Sequence, residues 1–174
     1  MINRINRIKY KLSQRGFNLR PSISDTELKV FEDQYNIKLP LEYRMYLTEI
    51  GNGGNGPPDY GLVEFGKFPD YQKDLNYNYR NIGLNFPFSK GWIWEDGIES
   101  NEGGKTDLSN GNIYLGTSGC GMDWYLIING IDRGIPWFIC GEGAQPICPK
   151  RDFLQWYEDW LDGKDSFYGY AYDK

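Results

Sequence analysis

The chemistry open to this chain is that of carboxylates, lysines and thiols, because the sequence contains no histidine. That absence removes Ser-His-Asp and Cys-His nucleophile activation and the commonest general base near neutral pH. It also removes His-based zinc sites, and the three cysteines, Cys120, Cys140 and Cys148, form no CxxC pair and fall short of a four-thiolate site. Cys120 lies in Gly119-Cys120-Gly121, followed by Met122 and Asp123. No basic neighbour lowers its thiol pKa and the nearby acid would raise it. The triplet therefore reads as a tight connection between two strands, with a small side chain in the core.

The remaining chemistry-bearing groups are acids that fall between elements or on strands with exposed faces: Asp59, Glu64, Asp70, Asp74, Glu95, Asp96, Glu99, Glu102 and Asp107. A catalytic carboxylate pair would have to come from this set. Glu95 to Asp107 lacks the spacing of a calcium-binding EF-hand loop. Two other readings stand beside catalysis. One is plain solvation. The other is an anionic, aromatic-edged protein-binding face, where Tyr and Trp supply rigid contact area and acids steer a basic partner. On that last reading the partner-binding residues are Asp59, Tyr60, Glu64, Asp70, Tyr71, Trp94, Glu95, Asp96, Glu99 and Asp107. No catalytic residue, metal ligand or cofactor is assigned.

Glycines at 51, 53, 54 and 56 make a second candidate, a phosphate cradle. The stretch lacks the Lys-Ser/Thr ending of a P-loop and runs into Pro57-Pro58 instead of a helix. A helix C-terminus leads into it, and that end repels anions. It reads instead as a helix stop and strand entry, a loop that also suits one rim of a binding surface. The aromatic residues at 153, 156, 157 and 160 have helical core spacing, which outweighs their use as a sugar platform.

Charge divides the chain unevenly. Residues 1–20 hold six basic groups (Arg4, Arg7, Lys9, Lys11, Arg15, Arg20) and no acid, leaving 13 basic against 24 acidic residues in the rest. The acidic body repels nucleic acid and attracts basic partners. The basic stretch is short and lacks stacking aromatics, so it reads as a solvated helix face in preference to a phosphate contact. The N-terminus has no apolar signal core and no apolar run approaches the ~18 residues that span a bilayer, so the expectation is a cytoplasmic protein with no membrane contact and reduced thiols.

The elements that must position these residues follow from periodicity. A length of 174 residues suits a single domain over 1–174, and 17% aromatic residues exclude a disordered chain despite a mean hydropathy of −0.63. Ile2, Ile5, Ile8 and Leu12 predict a basic amphipathic helix over 1–16, stopped by Gly16. Ser24-Asp25-Thr26-Glu27 is a capping box that starts a helix with Leu28, Phe31 and Tyr35 on its inner face. Pro40 opens a third helix with Tyr43, Tyr46, Leu47 and Ile50 buried. Strands are expected at Leu62–Phe65, Trp92–Trp94, Asn112–Leu115, Trp124–Ile128 and Ile135–Ile139. The Trp124–Ile128 run is apolar enough to be covered on both faces, and Pro136 marks an edge or a bulge. Residues 95–110 read as an exposed polar loop. Asp152 caps a last helix carrying Phe153, Trp156, Tyr157, Trp160 and Leu161, ended by Gly163. The tail 164–174, with Phe167, Tyr168, Tyr170 and Tyr172, is too aromatic for a plain disordered end. Helices, then strands, then a helix make an α+β fold with helices packed on a largely antiparallel sheet.

Three segments together resemble the SMI1/KNR4 (SUKH) superfamily. They are Leu39-Pro40-Leu41-Glu42-Tyr43 to Leu47 with Asn52-Gly53-Gly54 and Tyr60-Gly61-Leu62; Phe86-Pro87-Phe88 with Trp92-Ile93-Trp94-Glu95; and Ile113 to Gly116, Leu126 to Gly130, Gly134-Ile135-Pro136-Trp137 and Asp152 to Leu161. Their order covers roughly residues 24–163, and Pro136 departs from the pattern, which places a β-former before the Trp. The resemblance implies helices against a curved sheet with a C-terminal helix, no catalytic activity, and a bacterial immunity-type role against a toxin, often a nuclease, of a polymorphic or contact-dependent system. A nuclease has a basic substrate groove, so the implied partner is a basic toxin domain. The family's other branch implies a regulatory or small-ligand, carbohydrate-binding module.

Overall fold

The structure, a computed structural model, describes residues 2–68, 81–93 and 108–164. Its helices are α1 (Ile2–Ser13), α2 (Asp25–Tyr35), α3 (Leu41–Glu49) and α4 (Phe153–Leu161). Its strands are β1 (Trp92–Ile93), β2 (Asn112–Gly119), β3 (Met122–Ile127), β4 (Pro136–Cys140) and β5 (Gly143–Pro146). They form one antiparallel sheet in the order β1-β5-β4-β3-β2. The class is α+β.

The strands bury both faces, and their alternation assigns each residue to one. Ile113, Leu115, Trp124, Leu126 and Phe138 join the helical residues Ile8, Leu28, Tyr46, Leu47, Phe153, Trp156 and Tyr157 in the larger core. Tyr114, Tyr125, Ile127, Trp137 and Ile139 point the other way and meet Phe86, with Val63, Phe88 and Leu108 packed around them. Double coverage is why Trp124–Ile128, most of which lies in β3, reads as a nearly continuous apolar run.

The caps form as the sequence dictates. Ser24 accepts from the Glu27 N–H while Glu27 reaches back to the Ser24 backbone, completing the capping box. Asp152 accepts from the Gln155 N–H at 2.9 Å and starts α4. Gly163, at φ +65°, follows its end.

Four expectations change. Leu62–Phe65 is not a strand; only Leu62 makes a bridge, to Gly54, although Val63 N–H also donates to the Leu115 carbonyl on the edge of β2. Pro136 is not on an edge: it is the first residue of β4, which lies between β3 and β5. A first position tolerates the missing N–H, and the Pro136 carbonyl still accepts from Ile147 N–H at 3.0 Å. β5, too rich in Gly and Pro to be read as a strand, completes that side. Cys120 is exposed at the β2–β3 turn, at φ +51°, and not in the core.

The fourth change concerns α1, whose basic face is not left to water. Arg4 pairs with Asp152 at 2.7 Å, Arg7 with Glu158, and Lys11 with Glu158 and Asp162 at 2.7 and 2.6 Å. Glu158 and Asp159 are buried on α4, at 3% and 2% exposure. Glu32 on α2 is buried in the same manner, accepting from Leu39 N–H at 2.8 Å and from Arg44 on α3 at 3.0 Å. Each acid sits on a helix otherwise read for its apolar stripe, and each is held by charged hydrogen bonds that offset its desolvation.

Candidate functional site

The loop after α3 is zipped along both flanks. On one side Arg20 N–H donates to the Gly53 carbonyl at 3.0 Å, Asn52 N–H to Arg20 at 3.1 Å and Asn55 N–H to Asn18 at 3.0 Å. On the other, Gly54 and Leu62 exchange N–H to carbonyl bonds, both 2.9 Å. Val63 then bonds Leu115, and Tyr60 N–H meets the Thr117 carbonyl at 3.4 Å. The sheet is thus continued past β2 by three irregular segments, 60–63, 52–55 and 18–20.

This stacking explains the glycines. A Cβ on Gly53 would lie 2.5 Å from the Val63 carbonyl oxygen, and one on Gly61 would lie 2.5 Å from that of Gly54, both at φ +82°. Only glycine tolerates that approach and that backbone. The amides of Asn52, Gly54 and Asn55 are all bonded to backbone carbonyls, so the loop has none of those donors to offer a phosphate.

The floor made by residues 54–56 and 61–63 carries a groove of about 490 Å³. Arg20, Asp59, Tyr60, Glu64, Lys67 and Trp160 stand around it. Tyr60 is the most accessible aromatic at the rim, 77% exposed. Its ring lies against the backbone of Gly119, where a Cβ would come within 2.9 Å of Tyr60 Cε2. The hydroxyl end of the ring is therefore seated and the rest is presented. Trp160 is half-buried and packs on Phe17 with ring centroids 5.1 Å apart.

Beneath the floor lies α4. The Tyr157 hydroxyl donates to the Asn55 carbonyl at 2.8 Å, and its ring edge blocks any side chain at Gly56. Burial pushes the Tyr157 phenol well up, as it does Tyr43 and Tyr46 beside it, so Tyr157 remains a donor through neutral pH. Farther along the helix, hydrogen bonds from Arg7 and then Lys11 hold the Glu158 carboxyl down to about 2, against the opposing effect of burial. Lys11, which burial alone would lower, is raised by Asp162 and Glu158.

Of the residues nominated from sequence, Asp59, Tyr60 and Glu64 come together around this groove. Asp70, Tyr71, Trp94, Glu95, Asp96, Glu99 and Asp107 lie outside the described residues. The described groove is mixed in charge instead of anionic, because Arg20 and Lys67 line it together with Asp59 and Glu64. Sequence reasoning missed Arg20 and Lys67, and it assigned Trp160 wholly to the core. The available signal was the run of glycines: close backbone approach at residues 53, 54 and 61 requires neighbouring strands, and Arg20 is on one of them.

Asp59 and Glu64 both line the groove, on either side of the Leu62 bridge in sequence. Among the described residues, no three Cys, Asp or Glu side chains are grouped as a metal site requires, and no helix is long and apolar enough to cross a membrane.

No protein-family model, curated protein or solved structure matches this chain.

Proposed function

We propose that the chain is a non-catalytic protein-binding domain, an immunity-type protein that neutralises a basic toxin domain, of nuclease type in the sense of the SMI1/KNR4 resemblance, inside the cytoplasm of the cell that makes it. The observation that carries this reading is the convergence of Asp59, Tyr60 and Glu64 around one groove with a hydrogen-bonded floor. A rigid floor under an exposed aromatic is the usual form of a binding hot spot, since little side-chain freedom is lost on docking. The acidic stretch 94–107, with five acids and one base, adds long-range attraction for a basic partner in sequence terms. Neither membrane nor direct nucleic-acid binding belongs to this reading, and no cofactor is needed.

The test is co-expression with a basic toxin domain encoded in the adjacent reading frame, followed by calorimetry on the purified pair. The expected result is restored growth and a 1:1 complex. Absence of both rescue and binding would remove the immunity role.

A second reading, a regulatory or small-ligand module that takes a carbohydrate, is favoured by the groove volume, which falls within the few-hundred-Å³ range of ligand sites. Titration with oligosaccharides, read by the fluorescence of Trp160 against a Trp160→Phe control, separates it from the first.

A further inference from the structure

Residues 2–20 cross the molecule as one continuous segment with two attachments. The first is α1, seated by Ile5 and Ile8 and otherwise fastened through charge: Arg4 to Asp152, Arg7 and Lys11 to Glu158, Lys11 to Asp162, and Lys9 to Glu49 at 3.0 Å. The second begins at Phe17, whose ring backs Trp160, and continues through residues 18–20, which bond the loop at Gly53, Asn52 and Asn55. This one segment therefore supplies Arg20 to the groove, supports its Trp160 wall and closes one flank of its floor.

α1 depends on the acids of α4. It is a 12-residue helix with no acid in its first turn. Isolated helices of this length are marginal in water, and cations near a helix N-terminus oppose its dipole. The Arg7 side chain is half-exposed although Glu158 is buried, so solvent ions reach the cationic half of the clasp. Deprived of it, α1 lacks the local stability to persist.

We propose that residues 2–20 form a releasable strap: loosening the ion pairs between α1 and α4 frees residues 17–20 together with the helix and unmakes the groove. Such a unit opens below the energy of global unfolding. Control of partner docking by the strap rests on the reading of the groove as a docking surface; the opening itself does not, and its test needs no partner.

The experiment is native-state hydrogen exchange on the full chain, comparing wild type with Arg7→Glu, and wild type at low and high salt. Arg7→Glu sets a like charge beside Glu158. We expect the amides of Ile8, Arg20, Asn52 and Asn55 to exchange at least tenfold faster by a shared factor. Gly54 and Leu62, bonded to each other on the other flank, and Tyr125 and Ile127 in β3 keep their protection. High salt accelerates the same set in wild type, which secures the comparison should the variant fold poorly. Acceleration of Ile8 without Asn52 and Asn55 would show that the clasp and the groove are separate. Equal acceleration of β3 would show that α1 belongs to the global core. Either result overturns the strap.

Discussion

The Tyr157 hydroxyl and the Asn55 carbonyl, 102 residues apart, meet at 2.8 Å and fix the groove floor to the helix that forms the core. The neighbouring residue on α4, Glu158, anchors α1, and Trp160 forms a wall of the groove. A single helix turn thus couples the core, the N-terminal segment and the candidate site.

Replacing Tyr157 by Phe keeps the ring, its packing on Tyr46 and its contact with Gly56, and removes the hydroxyl that donates to Asn55 and neighbours the Tyr46 hydroxyl. The expected loss is about 1 kcal/mol, the usual net worth of one such bond. A urea denaturation series measures it. An unchanged midpoint would mean that water replaces the hydroxyl and that the floor does not depend on α4.

Glu158 predicts an acid dependence with a definite sign. Its carboxyl titrates at about 2 in the folded chain against 4.5 as its ordinary value. Between these values the unfolded chain binds more protons, so stability rises with pH. The contribution is complete above about pH 4.5 and is lost as pH falls through about 2. With Arg7 half-exposed and partly screened, the stabilisation is roughly 2 kcal/mol. Urea midpoints of wild type and Glu158→Gln, taken between pH 6 and 2, should converge on acidification. A constant gap would remove Glu158 as the titrating group.

Gly53 tests whether the loop is a packed backbone ladder. Gly53→Ala forces a methyl against the Val63 carbonyl at positive φ, and should destabilise by roughly 2 kcal/mol or more. Gly66→Ala also has positive φ but meets nothing within 4 Å, so only its backbone cost of about 1 kcal/mol remains. The difference between the two urea midpoints isolates the packing. Equal losses would show that strand approach does not govern the loop.

How far these relationships can be read from sequence depends on whether their cause is local. The capping box at Ser24, the cap at Asp152 and the apolar stripe of α4 depend on residues within one turn, and each forms as its spacing dictates. The double coverage of β3 was legible because Trp124 to Ile128 is a nearly continuous run of apolar residues. Burial of Glu158 was not, because its partners Arg7 and Lys11 are about 150 residues away and pairwise charge carries no periodicity. Leu62–Phe65 has the composition of a strand, but the bridge at Gly54 and the turn at Glu64–Lys67 limit its pairing. Arg20 escaped notice for a related reason: it looked like one more charge of a basic helix, whereas it lies beyond that helix on the edge of the loop ladder.

Tyr60 separates binding from folding. At 77% exposure it contributes little to the core, and Tyr60→Ala should leave the urea midpoint within about 0.5 kcal/mol of wild type. If the groove docks the proposed basic partner, loss of a seated aromatic should weaken the complex at least tenfold, chiefly through faster dissociation. Neutralising Glu95, Asp96, Glu99, Glu102 and Asp107 together should act on the other rate, slowing association at low salt and flattening its salt dependence. Surface plasmon resonance over a salt series reads both constants. An affinity untouched by Tyr60→Ala would exclude the groove as the docking surface, while an association rate indifferent to the five substitutions would exclude steering by the acidic stretch, so each variant tests one half of the proposed encounter.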